Sequence, residues 1–108
     1  MSNCEHETLV GDSDLFQLLM IEYYYIESSD IPASAIHLLT SHIKKYLSEM
    51  TFSYATQTIN FLLGEIKKME VEKQTLGHAN FLYENNIKLW SKLKTILMNE
   101  KEKRLKEE

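Results

Sequence analysis

The sequence predicts an all-α protein, an antiparallel bundle of four to five helices, from three observations. Glycine and proline, which normally supply the turns between strands, number three and one in 108 residues, well below their average joint usage of roughly 12%. Apolar residues recur at spacings of three and four along most of the chain, which is the period of one helix face. Apolar residues make up 44% and charged residues 26%, a composition that can bury a core. A single bundle domain over residues 13–99 accounts for these patterns.

Residues 1–12 show no apolar periodicity and are expected to form a flexible tail. The first helix is predicted to begin near residue 13, because Asp14 stands three residues before Gln17, the spacing of a capping box. Its apolar arc is broad, which predicts contact with more than one other helix. The predicted core face is Phe16, Leu19, Met20, Tyr23 and Ile26, widened by Leu15, Leu18 and Tyr25.

The second helix is predicted over residues 32–47. Pro32 suits the first turn of a helix, where its missing N–H costs nothing, and either Asp30 or Ile31 is the expected cap. The predicted buried stripe is Ala35 or Ile36, Leu39, Ile43, and Tyr46 or Leu47.

The third helix has the most regular pattern in the chain, with apolar residues at spacings of 3, 4, 3, 4 and 3. Either Ser48 or Thr51 is the expected N-cap. Gly64 interrupts the helix at a cost of about 1 kcal/mol relative to alanine, so either another helix approaches closely there or the helix weakens beyond it. The predicted stripe, typical of antiparallel packing, is Phe52, Ala55, Ile59, Leu62, Ile66 and Met69.

The last third of the chain is predicted to hold one or two more helices. Residues 70–77 are polar and form either a loop or a partly helical link, and Asn85 with Asn86 is the expected break between a fourth and a fifth helix. Residues 100–108 hold eight charged residues and one leucine, so a charged, solvated helical extension is expected. The predicted stripe is Phe81, Leu82, Ile87, Trp90, Leu93, Ile96 and Leu97.

Several classes of protein are excluded by composition. The longest apolar runs are four residues, as at 18–21, against the ~20 needed to span a membrane. The N-terminus is acidic and lacks the apolar region of a secretory signal, and Cys4 as a single cysteine cannot form an internal disulfide, so a cytoplasmic location is expected. The net charge of −4 argues against nonspecific binding of nucleic acid.

Catalytic and metal-binding patterns are scarce. No nucleophile elbow, phosphate-binding glycine loop, HExxH or paired-cysteine motif occurs. Cys4 and His6 could chelate zinc or copper, but a tail is a poor scaffold for a metal. His37 and His42 are five residues apart and fall on different helix faces. We therefore predict no catalytic residue, no metal site and no cofactor.

Two carboxylates and a run of aromatic residues are further candidates for function. Glu22 and Glu27 flank three consecutive tyrosines, and an acid among aromatic rings could transfer protons, although two solvated acids beside a packed face explain the pattern as well. Three consecutive tyrosines, residues 23–25, cannot all face one core, so at least one ring is expected at a binding surface. Trp90 could anchor an interface, but its spacing to Leu93 favours core packing.

Four short motifs resemble, in order and approximate spacing, the helical domain of the alpha subunit of eukaryotic translation initiation factor 2B. The first is Ile31-Pro32-Ala33-Ser34-Ala35-Ile36, similar to the family's P-x-A-A-I segment. The others are Glu49 with Thr51 for its E-T turn, Gly77 with Phe81 for its G-x-x-x-F, and Trp90-Ser91-Lys92-Leu93-Lys94 with Ile96 for its aromatic-S-K-x-K-x-I/L stretch. An extra residue separates Glu49 from Thr51, and residues 70–77 lack the family's serine-rich character.

The resemblance implies a regulatory role rather than a catalytic one. In that family the helical domain belongs to the guanine-nucleotide exchange factor for translation initiation factor 2, and it helps to sense the phosphorylated alpha subunit of that factor. The implied partners are therefore this phosphorylated subunit and the other subunits of the initiation factor 2B complex, with neither nucleic acid nor membrane among them. The implied partner-binding residues are Glu49, Thr51 and Tyr54, at a helix start where unpaired amides prefer acceptors and anions.

Two alternatives stay open. Sugar-phosphate isomerases related to methylthioribose-1-phosphate isomerase have a similar N-terminal helical domain, with the catalytic groups in a Rossmann-like half that both families share. The resemblance therefore implies that these 108 residues correspond to the N-terminal helical domain alone. The chain could instead be an unrelated small helical adaptor. In each case we expect the chain itself to be without enzymatic activity.

Overall fold

A computed structural model describes the backbone of residues 11–76 and 84–107 and the side chains of residues 11–71 and 84–106. These residues form four helices: α1 (Asp12–Ser28), α2 (Ala35–Glu49), α3 (Phe52–Leu76) and α4 (Glu84–Glu107). The described residues include no strand, so the prediction of an all-α bundle is confirmed. Helix α1 packs on α2, and α4 packs on both α2 and α3.

Most of the core comes from the apolar stripes that the periodicity predicts, although Phe52 and Ile87, predicted members of these stripes, are exposed. Each helix contributes residues at spacings of three and four, because only that period keeps side chains on one face. Leu18 and Tyr25, predicted to widen the stripe of α1, are exposed, and Leu89 is a core residue that the sequence reading missed. The fully buried members include Leu15, Leu19, Ile26, Ile43, Leu47, Ile59, Leu62, Ile66, Leu89 and Leu93.

The start of α1 differs from the predicted capping box. Gly11 is the N-cap residue and no side chain caps the helix, so Asp14 lies in the first turn, where its charge still suits the helix dipole. Asp12 bonds to another helix start instead: the Thr51 amide donates to its Oδ1 (2.9 Å) and the Thr51 hydroxyl to its Oδ2 (2.7 Å). The remainder of the predicted tail, residues 1–10, lies outside the described residues.

Helix α2 begins three residues later than predicted. The amides of Ala35 and Ile36 donate to the carbonyls of Pro32 and Ala33, which is the i to i+3 bonding of a tight turn rather than of an α-helix. The N-cap position is Ser34, so neither Asp30 nor Ile31 is the cap. Pro32 starts the turn that precedes the helix.

Helix α3 continues through most of the segment predicted as a loop or link. Residues 70–76 are helical, and Glu70 is held there by Lys94 of α4, whose ammonium lies 3.1 Å from both carboxylate oxygens. At Gly64 a Cβ would meet no described atom within 4 Å. No described helix approaches closely there, so the first of the two predicted consequences of Gly64 is not observed. The helix continues past Gly64 to Leu76, and its weakening beyond Gly64 stays a prediction.

Asn85 and Asn86 do not break a helix; both lie in the first turn of α4. Two adjacent asparagines are typical of loops, but Asn86 is fully buried and its amide bonds to the chain between α1 and α2. Its Oδ1 accepts from the Ile31 amide (2.9 Å), and its Nδ2 donates to the carbonyls of Ile26 (3.0 Å) and Ser29 (2.7 Å). One side chain thus pairs three backbone groups that a helix end leaves without partners.

The far end of α4 also packs. Residues 100–107 are helical, and within them the Arg104 guanidinium lies over the Phe52 ring, 5.3 Å from its centroid. Arg104 also faces Glu100 at 3.8 Å. The charged C-terminal stretch therefore holds the start of α3 through a cation–π contact.

We expect Asn86→Ala to lower the free energy of unfolding by about 2–4 kcal/mol, because two buried backbone groups and one partly buried group lose their partner at about 1 kcal/mol each or more. Asn86→Asp, which keeps the acceptor and removes the donor, should also destabilise. Urea unfolding followed by circular dichroism measures both. Asn85→Ala is the matched control and should change stability by less than about 0.5 kcal/mol; an equal loss there would assign the effect to helix propensity.

Tyr23 lies in the core with its ring 5.2 Å from that of Trp90, edge to face. Its hydroxyl is buried and has no hydrogen-bond partner among the described residues. Burial raises the pKa of the Tyr23 phenol, and the carboxylates of Glu27 and Glu65 raise this pKa further.

We expect stability to fall as the pH rises above about 10, because the unfolded chain releases the Tyr23 proton near its ordinary pKa while the folded chain retains it. Tyr23→Phe should reduce this fall, which is at most about 1.4 kcal/mol per pH unit for one group. At pH 7 the variant should stay within about 1 kcal/mol of the parent, since no bond to a described residue is lost. Urea unfolding between pH 8 and pH 11 is the measurement, with exposed Tyr25→Phe as the control; an unchanged slope in Tyr23→Phe would contradict the assignment.

Candidate functional site

The three residues implied by the resemblance lie close together where α2 passes into α3. Glu49 is the last residue of α2 and is exposed. Thr51 comes two positions later, and its carbonyl accepts from the Ala55 amide (2.9 Å), which makes Thr51 the N-cap residue of α3. Tyr54 lies one turn into α3, half buried. The expectation that Thr51 is an N-cap is correct.

The expectation of an unpaired amide at this helix start is wrong for Thr51. Its amide and hydroxyl both donate to the Asp12 carboxylate, so an acceptor from within the chain already occupies the position. The bonds are exposed, and they join the starts of α1 and α3.

Tyr54 connects the start of α3 to an apolar surface that extends over α1 and α3. The ring of Phe16 lies edge-on to Tyr54 and to Phe61, with centroid distances of 6.4 Å and 6.0 Å. Such edge-to-face pairs add to the area that the rings bury. Two adjoining depressions share Phe16. One, of about 220 Å³, is lined by Phe16, Tyr54, Gln57, Thr58 and Phe61, and the other, of about 400 Å³, by Phe16, Gln17, Met20, Ile21 and Tyr24. We call these residues together the aromatic face.

Large apolar side chains of the aromatic face are open to solvent. Ile21 is 65% exposed, Tyr24 57% and Phe61 44%. The run of three tyrosines divides as the helical period requires: Tyr23 is buried and Tyr24 and Tyr25 are exposed. The sequence predicted at least one of the three rings outside the core, and two rings are exposed. Of these, Tyr24 lines the aromatic face together with Ile21.

The aromatic face continues along α3 toward Gly64. Phe61, Gly64, Lys68 and Val71 lie on one side of the helix because their spacings are 3, 4 and 3. A depression of about 350 Å³ is lined by Gly64, Lys67, Lys68 and Val71, and Val71 is exposed. At Gly64 the absence of a side chain exposes the backbone of α3, so an incoming segment can approach closely there.

Glu22, an acid considered for proton transfer, is part of a polar cluster between α1 and α2. One of its oxygens lies 2.9 Å from Nδ1 of His42, and the other accepts from the Tyr46 hydroxyl at 2.9 Å. Burial raises the pKa of the Tyr46 phenol, and its hydrogen bond to the Glu22 carboxylate raises this pKa further. The cluster joins two helices through one carboxylate, and no nucleophile from the described residues completes a catalytic triad around it.

Metal-ligand clusters and membrane-spanning helices are absent from the described ranges. Residues 11–71 and 84–106 hold no group of three or more His, Cys, Asp or Glu side chains that could bind a metal ion. Cys4 and His6 lie outside this part of the chain. None of the four helices, over the residues described, is long and apolar enough to cross a membrane.

Family models, curated proteins and solved structures were each compared with this chain, and none of them matches.

The sequence reading missed two features of the site region. Asp12 was assigned to the tail, yet it bonds to Thr51; an aspartate just after Gly11 at a helix start was the available signal. The aromatic face was indicated only by the run of three tyrosines, because Phe16 matches the helical period and was predicted as a core residue, and Phe61 was not singled out.

Proposed function

We propose that this chain is a protein-interaction module without catalytic activity, and that the aromatic face receives an amphipathic helix of a partner protein. The observation that carries the proposal is the exposure of Ile21, Tyr24 and Phe61, which line two depressions that share Phe16. Exposed aromatic and aliphatic side chains grouped on one face are typical of docking sites rather than of isolated surface residues.

A helix is the occupant that fits this surface. The α3 part of the aromatic face and its continuation run from Gln57 to Val71, which is about 21 Å at 1.5 Å per residue, or about four turns. Gly64 near the middle allows the backbones of two helices to come close. Helix-in-groove binding uses anchors at such helical spacings.

The charge at one end of the surface favours an acidic partner segment. Lys67 and Lys68 line the depression around Gly64, whereas the opposite end has neutral polar side chains, Gln17 and Gln57. Although Glu65 lies 3.3 Å from Lys68, the described residues that line this depression include two lysines and no carboxylate, which makes its described lining basic. An amphipathic helix with acidic residues at the end that meets Lys67 is therefore the chemistry we propose for the partner.

We further propose that the partner belongs to the translation machinery: the other subunits of the initiation factor 2B complex, with the phosphorylated alpha subunit of initiation factor 2 as the regulatory ligand, in the cytoplasm. The four collinear motifs of the sequence support this assignment. The position of Tyr54, which belongs both to the implied contact residues and to the aromatic face, supports it as well.

The docking face can be tested without knowing the partner. From a displayed library of amphipathic helical peptides, we expect the chain to enrich sequences with acidic residues at one end. The double variant Ile21→Ser/Tyr24→Ser should weaken their binding at least about tenfold, because anchors of this size carry most of the energy of an interface. Isothermal titration of single peptides measures the affinity.

Leu38→Ser is the matched control, since Leu38 is an equally exposed apolar residue, on α2. Its peptide affinity should equal that of the parent. Peptides that bind the double variant as tightly as the parent, or a library that yields no binder, would refute the docking face.

The translation assignment is tested at Glu49. Glu49→Lys places a cation at the C-terminal end of α2, where it suits the helix dipole, so helicity and stability should be kept. Thr51 is the poorer choice, because its substitution also removes the bonds to Asp12. Within the assembled initiation factor 2B complex, we expect Glu49→Lys to change the affinity for the phosphorylated alpha subunit by about three- to tenfold, measured by surface plasmon resonance.

Glu102→Lys, a charge reversal of the same size on α4, is the control and should leave this affinity unchanged. Equal affinities for the parent and Glu49→Lys would remove Glu49 from the contact. Failure of the chain to join the complex would refute the translation assignment while leaving the docking face to its own test.

A further inference from the structure

A second cleft lies between α2 and α4, away from the aromatic face. Its volume is about 190 Å³, and it is lined by His37, Thr40, Ser41, Lys44, Lys92 and Ile96. Four of the six residues come from α2 and two from α4, so the packing of these two helices forms the cleft.

The described lining residues include two lysines and a histidine but no carboxylate. The Lys92 ammonium lies 3.4 Å from Nδ1 of His37, so its neighbour in the cleft is an imidazole rather than an acid. Lys44, on α2, lines the same cleft as Lys92, which is on α4. Because the chain as a whole carries a net charge of −4, this local positive charge is opposite to the average of the molecule, and an anion placed between the two lysines is attracted by both.

The polar side chains of the cleft are arranged to donate hydrogen bonds. With Nδ1 of His37 accepting from Lys92, the neutral ring carries its hydrogen on Nε2, which lies 3.4 Å from the Ser41 hydroxyl oxygen. The imidazole thus donates to Ser41 in this tautomer, and the Ser41 hydroxyl hydrogen is left to donate outward. The Thr40 hydroxyl donates instead to the carbonyls of Ile36 and His37 (2.9 Å and 3.1 Å), and so holds the turn of α2 that carries His37.

We propose that this cleft binds a phosphate group, as the free ion or as a small phosphate monoester. Lys44 and Lys92 supply the charge that pairs with a dianion, and the Ser41 hydroxyl donates one hydrogen bond to a phosphate oxygen. Ile96 forms an apolar wall against which the organic part of an ester rests. The site is independent of the proposed docking function, because α2 and α4 form it and the aromatic face lies on α1 and α3.

The test is a titration of the isotope-labelled chain with sodium phosphate at constant ionic strength, followed by two-dimensional NMR of the backbone amides and the His37 ring. We expect saturable shifts at His37, Ser41 and Lys92. Lys92→Gln and Lys44→Gln should each weaken the binding of phosphate at least about fivefold, which corresponds to about 1 kcal/mol.

Lys45→Gln is the matched control, because it removes the same charge at the adjacent position of α2, and Lys45 does not line the cleft. It should change the phosphate affinity less than twofold. An equal loss in Lys45→Gln, or shifts that never saturate, would reduce the effect to general electrostatic attraction and overturn the proposal.

The two sources of the phosphate are separated by a parallel titration with glycerol 3-phosphate. Tighter binding of the ester, lost in Ile96→Ser, would assign the cleft to a small phosphorylated metabolite. Equal binding of both ligands would assign it to the phosphate group alone. Sodium chloride added in place of phosphate should leave the three residues unshifted, and the same shifts with chloride would refute phosphate recognition.

Discussion

The amide of Asn86 is the interaction on which the arrangement of the bundle depends. Three backbone groups lie where α1 ends and the chain turns toward α2: the carbonyls of Ile26 and Ser29 and the amide of Ile31. Folding removes them from water, and no helix or strand supplies their hydrogen-bond partners. One side chain from α4, that of Asn86, bonds to all three. An unpaired buried backbone group costs about 1–3 kcal/mol, so the turn can be buried only with α4 in this position. The contact thereby sets the height of α4 relative to α1, and it brings the Trp90 ring, one turn further along α4, against Tyr23.

The opposite end of the bundle is held by contacts of a different kind. Asp12 joins the starts of α1 and α3 through the amide and hydroxyl of Thr51, and Arg104 covers Phe52. These contacts are more exposed than those of Asn86, so water and salt weaken them. The contacts at the buried end are therefore expected to contribute more to the stability of the bundle than those at the exposed end. Between the two ends, α1 packs chiefly on α2, which leaves the side of α1 nearest α3 as the aromatic face.

Features set by the local period of the chain could be predicted from the sequence, whereas features that depend on distant partners could not. The stripes of the four helices could be predicted because a buried face repeats every 3.6 residues. The exposure of at least one of the three tyrosines could be predicted because three consecutive residues cannot share one face. The sequence predicts a helix break at Asn86, because two adjacent asparagines favour a turn when only the local sequence is considered. The backbone groups that Asn86 bonds lie 55 to 60 residues away along the chain, so the local sequence does not indicate them. The same limit applies to the cleft between α2 and α4, because His37 and Lys92 meet only when the two helices pack.

The positions that the isolated fold explains least are the ones on which a role in binding rests. Ile21 and Tyr24 present large apolar surface to water, and Gly64 lowers the stability of α3 although no described neighbour requires its small size. Ile21 and Tyr24 gain little from burial in this fold, and Gly64 costs helix stability. Residues whose type lowers the stability of a fold are concentrated at functional sites. Because all three residues lie on adjoining surfaces of α1 and α3, a helix laid across them would bury the two apolar side chains and use the space at Gly64 in a single contact.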